Sequence, residues 1–260
     1  MTYTIALAGK GGVGKTSVSS LIIRQLLKNS LTPVLAVDAD ANANLGESLG
    51  LDVPQTVGGL IASFNNVKLN LPPGMTKEAY LEYQLNTTLA ESKGLDMISM
   101  GRGEGDGCYC YPNSILRSYI DKLSQNYRYV VMDNEAGMEH LSRHTTQNVD
   151  HLFIVSDHSV KGVRTLGRIR QLVDEMKLNV SQISVIINMV TGTLDPRLEA
   201  EINKLGIAYT DTVPADEMIR EFDLKQTPLL KLPDNSPAVQ AVAKILSTRL
   251  GIKNRTEVSE

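Results

Sequence analysis

Residues 4–8, TIALA, run straight into Gly9–Thr16, GKGGVGKT, and a helical pattern follows. The spacing is G-x-x-x-x-G-K-[S/T], set between a strand and a helix. The glycines Gly9, Gly11, Gly12 and Gly14 let successive backbone N–H groups turn inward around an anion, and the helix after Thr16 adds the positive end of its dipole. The chemistry of such a loop is to hold a nucleoside phosphate. Gly9 to Ser17, Val13 included, form the cradle, Lys15 reaches the β- and γ-phosphates, and the Thr16 hydroxyl ligates Mg²⁺.

Two acidic segments follow apolar runs. VDADANANLG brings Asp38 and Asp40 to the end of one strand pattern, and VVMDNEAGMEHLSRHT brings Asp133 to the end of another. Asp133 stands where an acid would hold Mg²⁺ through water. Gly137 can release its N–H toward a γ-phosphate, which makes this segment a switch that distinguishes triphosphate from diphosphate. His140, Arg143 and His144 lie just beyond and are not read as ligands.

The chain's two cysteines, Cys108 and Cys110, sit in GRGEGDGCYCYP, residues 101–112. In extended backbone, residues i and i+2 point the same way, so both thiols can face one partner. A disulfide between them would be strained. A helix pattern begins at Ser114, and thiols near a helix N-terminus favour the metal-binding thiolate. A tetrahedral site needs four ligands. A two-fold axis would supply the other pair, so that a homodimer would hold one metal ion at the junction.

KGGVGKT, with its extra lysine Lys10, resembles the deviant phosphate loop of the ParA, MinD and nitrogenase-iron-protein superfamily. That resemblance implies that Lys10 crosses a dimer interface to the partner's nucleotide. It makes Asp40 the residue that orients or activates the attacking water, itself near Mg²⁺ through water, and Asp38 a structural or Mg²⁺-shell acid. It also has Asn188, at the end of SVIIN, contact the base together with Met189. No acid follows in Asn188–Thr191, so adenine is favoured over guanine. VPAD, with Pro214, Ala215 and Asp216, resembles the loop that wraps the adenine edge. KGGVGKTS, VDADANANL, CYC and DNEAGMEHLSR together resemble the CooC family over roughly residues 1–250. The resemblance implies an ATP-dependent homodimer, with ATP or ADP and Mg²⁺ as cofactors. It would bind Ni²⁺ or Zn²⁺ and serve carbon monoxide dehydrogenase or acetyl-CoA synthase. Other readings stay open: a ParA- or MinD-like switch whose cysteines hold a structural zinc, or a reductase with an iron–sulfur cluster.

These residues need a scaffold. Strand patterns at Thr2–Ala8, Pro33–Asp38, Leu95–Met100, Arg128–Asp133, His151–Ser156, Ile183–Asn188 and, more weakly, Ile207–Asp211 alternate with helix patterns. The helix patterns are Thr16–Lys28, Lys77–Glu91, Ser114–Ser124, Val160–Met176, Pro196–Leu205, Asp216–Gln226 and Ser236–Leu250. Near-continuous apolar strands imply burial on both faces. The expected fold is a single α/β domain over residues 1–250, a P-loop NTPase with a mostly parallel twisted sheet of seven or eight strands and helices on both faces. A helical insertion is expected around 52–94, with one amphipathic helix, and a polar tail at 251–260. Net charge is −3, which provides no broad electrostatic footprint for nucleic acid, although a local patch stays open. The N-terminus lacks a signal-peptide pattern, no run reaches about 18 apolar residues, and the tail has no amphipathic stripe. The expectation is a cytoplasmic protein without nucleic-acid or membrane partners.

Overall fold

The computed structural model describes residues 1–67, 72–101, 118–136, 148–175, 178–207 and 210–252. Its centre is an eight-stranded sheet. The strands are β1 (Tyr3–Gly9), β2 (Val34–Ala39), β3 (Ala90–Ser92), β4 (Leu95–Ser99), β5 (Tyr129–Ala136), β6 (Asn148–Asp157), β7 (Asn179–Val190) and β8 (Thr210–Pro214). Their order across the sheet is β3-β4-β2-β5-β1-β6-β7-β8. Every pair is parallel except β3 with β4. β1 therefore lies centrally, between two strands that come much later in the chain, and its C-terminal end opens at a change in strand order. In open α/β sheets ligands bind at such a point.

The strands are apolar on both faces because both faces are covered. On one face Ile5, Leu7, Val131 and Phe153 pack under α1 (Lys15–Lys28) and α9 (Pro237–Leu250). On the other, Ala6, Met132, Leu152 and Ile187 pack under α6 (Val160–Glu175) and α7 (Pro196–Lys204). Between these helices in the chain come α2 (Leu45–Leu49), α3 (Val57–Val67), α4 (Lys77–Asn86) and the helical residues 118–124, α5; α8 (Glu217–Leu224) precedes α9. Among the described residues no helix is long and apolar enough to cross a membrane.

Residues 52–94 depart most from the sequence pattern. Val57, Leu60, Ile61 and Phe64 fall at i, i+3, i+4 and i+7 and are buried in a third cluster with Leu81, Leu85 and Ile98. That packing carries α3 through Gly58 and Gly59, overriding their low helix propensity. α4 ends at Asn86 rather than Glu91. The hydroxyls of Thr87 and Thr88 donate to the carbonyls of Gln84 (2.6 Å) and Leu85 (2.7 Å), closing the last turn. Ala90–Ser92 then turns back as the antiparallel edge strand. β8 begins at Thr210, three residues after the expected Ile207; Val213 is its buried hydrophobic residue.

One buried polar group makes the fold pH-sensitive. His151, on β6, is fully buried, stacked on Phe153 with ring centroids 4.2 Å apart, its Nε2 2.9 Å from Ser184 Oγ. Burial, aided by the positive charge of Arg249, lowers its pKa to about 4. The native state holds the neutral ring, whereas the unfolded chain binds a proton near pH 6.5. This contribution is therefore intact above about pH 6.5 and is lost as pH falls toward 4, to a total of about 3 kcal/mol. Chemical denaturation of wild type and His151→Leu across pH 4–7 should show a shallower decline toward acid in the variant.

Candidate functional site

The phosphate loop is shaped at three of its four glycines by backbone that only glycine permits. A Cβ at Gly9 would lie 2.2 Å from the carbonyl oxygen of Val155 on β6, so β1 can leave the sheet there only as glycine. Gly12 and Gly14 have φ of +80° and +82°. Gly11 differs from these. It is exposed, its φ is not positive, and a Cβ there would meet none of the described residues within 4 Å. Among the described residues nothing therefore requires glycine at Gly11, and what its missing side chain leaves beside them is open space. Gly14 occupies the cap position of α1, which starts the helix at Lys15 with its first N–H groups facing the loop. Val13 is buried beneath. Its carbonyl accepts a 2.9 Å hydrogen bond from Asn188 Nδ2, and a Cβ on Gly14 would meet that nitrogen at 2.4 Å. Asn188, expected at the base, therefore also clamps the loop. Lys15 is buried and its Nζ donates to the Lys10 carbonyl at 3.2 Å, whereas Lys10 itself is exposed.

Behind the loop lie two carboxylates in register on neighbouring strands, Asp38 of β2 and Asp133 of β5. Both are essentially inaccessible to solvent. Asp38 Oδ1 accepts from the N–H of Asp40 (3.0 Å) and Oδ2 from that of Leu45 (2.9 Å), so this side chain folds the intervening loop. It is pushed up to about 7 by burial, against the pull of those two bonds, with Asp133 and Asp40 adding repulsion. Asp40 is half-buried, and its Oδ1 accepts from Asn42 N at 2.8 Å. Asp133 is pushed up to about 6 by burial; the Thr16 hydroxyl, the Lys15 charge and the Ser19 hydroxyl oppose the shift. Its Oδ1 has no hydrogen-bond partner among the described residues. A buried, orphaned carboxylate oxygen beside Thr16 and near Asp40 is a donor set that suits Mg²⁺, whose charge would reverse the local pKa shifts.

Next to the loop a cavity of about 820 Å³ runs from Gly14, Thr16 and Ser17 to Met189, Pro214 and Ala215. Of the expected phosphate cradle it borders only those first three residues; Gly9, Lys10, Gly11, Gly12, Val13 and Lys15 lie outside its lining. The cavity therefore lies to one side of the loop and meets it only at Gly14, Thr16 and Ser17. Ile219 and Phe222 of α8 give it an apolar wall, and Asn44 and Glu47 of α2 close the other side. Its size and mixed lining suit a nucleoside. Asn188 and Asp216 border it too. The Asp216 carboxylate, however, is committed to capping. Oδ1 accepts from Met218 N at 2.9 Å, starting α8; Oδ2 accepts from Ser236 Oγ at 2.5 Å and Ala238 N at 3.1 Å, starting α9.

The structure thus brings Gly9–Ser17, Asp40, Asp133, Asn188, Met189, Pro214, Ala215 and Asp216 to one end of the sheet. Gly137, Cys108 and Cys110 lie outside the described residues, as do His140, Arg143 and His144. Among the described residues no group of three or more His, Cys, Asp or Glu side chains could hold a metal ion. The motifs do not anticipate the contributions of α2 and α8. The apolar face Met218, Ile219 and Phe222, inside the expected Asp216–Gln226 helix, is the available signal.

Residues 4–229 match the CobQ/CobB/MinD/ParA nucleotide binding domain. An uncharacterized ATP-binding protein of Methanocaldococcus jannaschii is 41% identical over 243 residues, covering 93% of this chain and 96% of the relative. The carbon monoxide dehydrogenase accessory protein CooC of Rhodospirillum rubrum is 28% identical over 202 residues, covering 74% and 76%. Among solved structures, the Pyrococcus furiosus cell division ATPase MinD superposes with a TM-score of 0.70 at 18% identity, covering 97% of this chain and 100% of that one. The Mg-ADP complex of Pyrococcus horikoshii MinD does so at 0.67 and 20%, covering 96% and 98%. At these identities the structures share the fold.

Two substitutions separate holding the fold from holding the ligand. Asp133 is an acid with a raised folded pKa, so the stability favoured by its protonated form is lost as pH rises from about 4 to about 6 and is fully lost by about pH 7. Asp133→Asn should therefore raise the melting stability of the nucleotide-free protein at pH 7, by about 1–2 kcal/mol, while Mg²⁺-nucleotide affinity falls at least about tenfold. Asp216→Ala removes the cap of α8 and the bonds to Ser236 and Ala238 at the start of α9, leaves Ser236 capping α9, and should cost about 1–2 kcal/mol of stability, readable by denaturant titration.

Proposed function

The chain belongs to the CobQ/CobB/MinD/ParA family of nucleotide-binding proteins, and from that premise we propose an Mg²⁺-dependent ATPase that handles nickel or zinc. In this reading the metal is cargo, held by Cys108 and Cys110 of two subunits, and the client is carbon monoxide dehydrogenase or acetyl-CoA synthase. The observation that carries the nucleotide part is the orphaned Oδ1 of Asp133, buried beside Thr16, a residue that lines the cavity. The metal part is supported by the CYC motif and by the similarity to the Rhodospirillum rubrum accessory protein.

The loop N–H groups, that of Gly11 among them, and Lys15 bind the phosphates. Thr16 would ligate Mg²⁺ directly and Asp133 and Asp40 through water; when bound, the ion neutralises charge on the β- and γ-oxygens. Asp40 orients the attacking water, and its backbone tie to Asp38 fixes where its carboxylate can point. Lys10, exposed on the loop, reaches the nucleotide of the second subunit. Asn188, Met189, Pro214 and Ala215 receive adenine. Gly137 senses the γ-phosphate, so hydrolysis relaxes both switch segments and alters the spacing of the four sulfurs. A tenfold change in metal affinity between nucleotide states needs only about 1.4 kcal/mol of differential contact. Thiolate ligands also make affinity fall in acid.

Metal titration with molar-mass measurement, with and without ADP or ATP, tests this reading. The expected result is one Ni²⁺ or Zn²⁺ per two chains, lost in Cys108→Ala and in Cys110→Ala. A full ion on each single chain, unchanged stoichiometry in the variants, or a monomer under every condition overturns it.

A further inference from the structure

α6 carries a surface that the nucleotide site does not use. Val163, Leu166, Ile169 and Val173 turn inward, whereas Lys161, Arg164 and Arg168 are exposed at i, i+3 and i+7 on the opposite side. These three cations form one stripe about 10 Å long. Cations on α6 and the adjoining α7 are neutralised nearby: Arg170 pairs with Asp174 and Lys204 with Glu201. Among the described residues none of Lys161, Arg164 and Arg168 has such a partner. The first turn of α6 contains no acid. Asp157, just before it, is occupied by the N–H and hydroxyl of Ser159, which in turn caps Gly162 N. Lys161 and Arg164 thus stand near a helix N-terminus, where the dipole disfavours positive charge, on a chain of net charge −3.

At the head of this stripe a separate pocket of about 370 Å³ opens between the starts of α6 and α7. Val160, Val190, Leu194 and Leu198 line it, with His158 and Arg197 among its polar residues. Val160 is 55% exposed, unusual for a β-branched apolar residue beside a concavity. An apolar pocket next to uncompensated cations calls for an occupant with both complements. Nucleic acid supplies the charge but no aliphatic side chain.

We infer that this face docks an acidic segment of a partner protein, with carboxylates along Lys161, Arg164 and Arg168 and an apolar anchor seated against Val160 and Leu194. Carboxylates at i, i+4 and i+7 of a partner helix match the stripe, and an anchor one turn further on reaches the pocket.

The probe is a fluorescein-labelled helical peptide with glutamates in that spacing and a leucine one turn beyond. Anisotropy is read on the whole protein at low and raised salt. Binding should weaken with salt and fall about tenfold or more in the triple variant Lys161→Glu, Arg164→Glu, Arg168→Glu. The triple variant should melt no lower than wild type, because acids suit the start of a helix. Val160→Ser should weaken the leucine peptide and leave a peptide with serine in its place unaffected. The inference is overturned by no peptide binding, by equal binding to the triple variant or by equal binding of a lysine-for-glutamate peptide. It is also overturned if a DNA duplex, and not the peptide, binds and loses affinity in the triple variant.

Discussion

Asp38 and Asp133 lie side by side on β2 and β5, both shut away from water and both held well above the normal carboxylate range. A protein interior tolerates two such groups only if something answers their charge. Asp38 is answered from within, by two backbone N–H groups that at the same time fold residues 40–45 into a fixed loop. Asp133 is answered only in part, by the neighbouring Lys15 and hydroxyls, and keeps one oxygen unpaired. The asymmetry divides the pair: one acid shapes the loop, and the other keeps an oxygen without a hydrogen bond among the described residues. Most of the remaining architecture serves to keep this pair at the end of β1.

β1 is central because β5 and β6 flank it, and the phosphate loop leaves the sheet where Gly9 presses against the Val155 carbonyl. From there the loop is held on two sides. α1 begins immediately at Lys15, and Asn188, reaching from β7, bonds the Val13 carbonyl. A loop restrained in this way loses little entropy when a phosphate arrives, which is the physical content of preorganisation.

Legibility in the sequence followed contiguity. The phosphate loop, the strand that feeds it, Asp38 near the end of β2 and Asp133 within β5 occupy short unbroken strings, so motif and hydrophobic period were enough to place them, although β5 runs on past the expected end at Asp133 to Ala136. The doubly covered sheet was equally plain in runs such as VLAV and LFIV. The motif does not, however, separate its glycines: Gly9 answers to a neighbouring strand and Gly12 and Gly14 to their own dihedrals, while Gly11 answers to nothing among the described residues. What escaped depends on distant partners. The Asn188 bond to Val13 spans 175 positions, and the joint capping of α8 and α9 by Asp216 needs Ser236 folded back beside it. α3 was hidden by its two glycines, which burial against Ile98 outweighs. The edge strand Ala90–Ser92 is too short to announce itself before β4 stands next to it.

The end of β7 has a consequence of its own. Asn188 and Met189 border the nucleoside cavity, and the next residue, Val190, lines the pocket at the head of α6. Neighbouring positions on one strand thus line two separate cavities. Any work that one occupant does in displacing this backbone is felt by the other, and linkage requires the influence to be mutual and equal in size. A peptide bond shared in this way makes the two cavities thermodynamic neighbours without any moving domain between them.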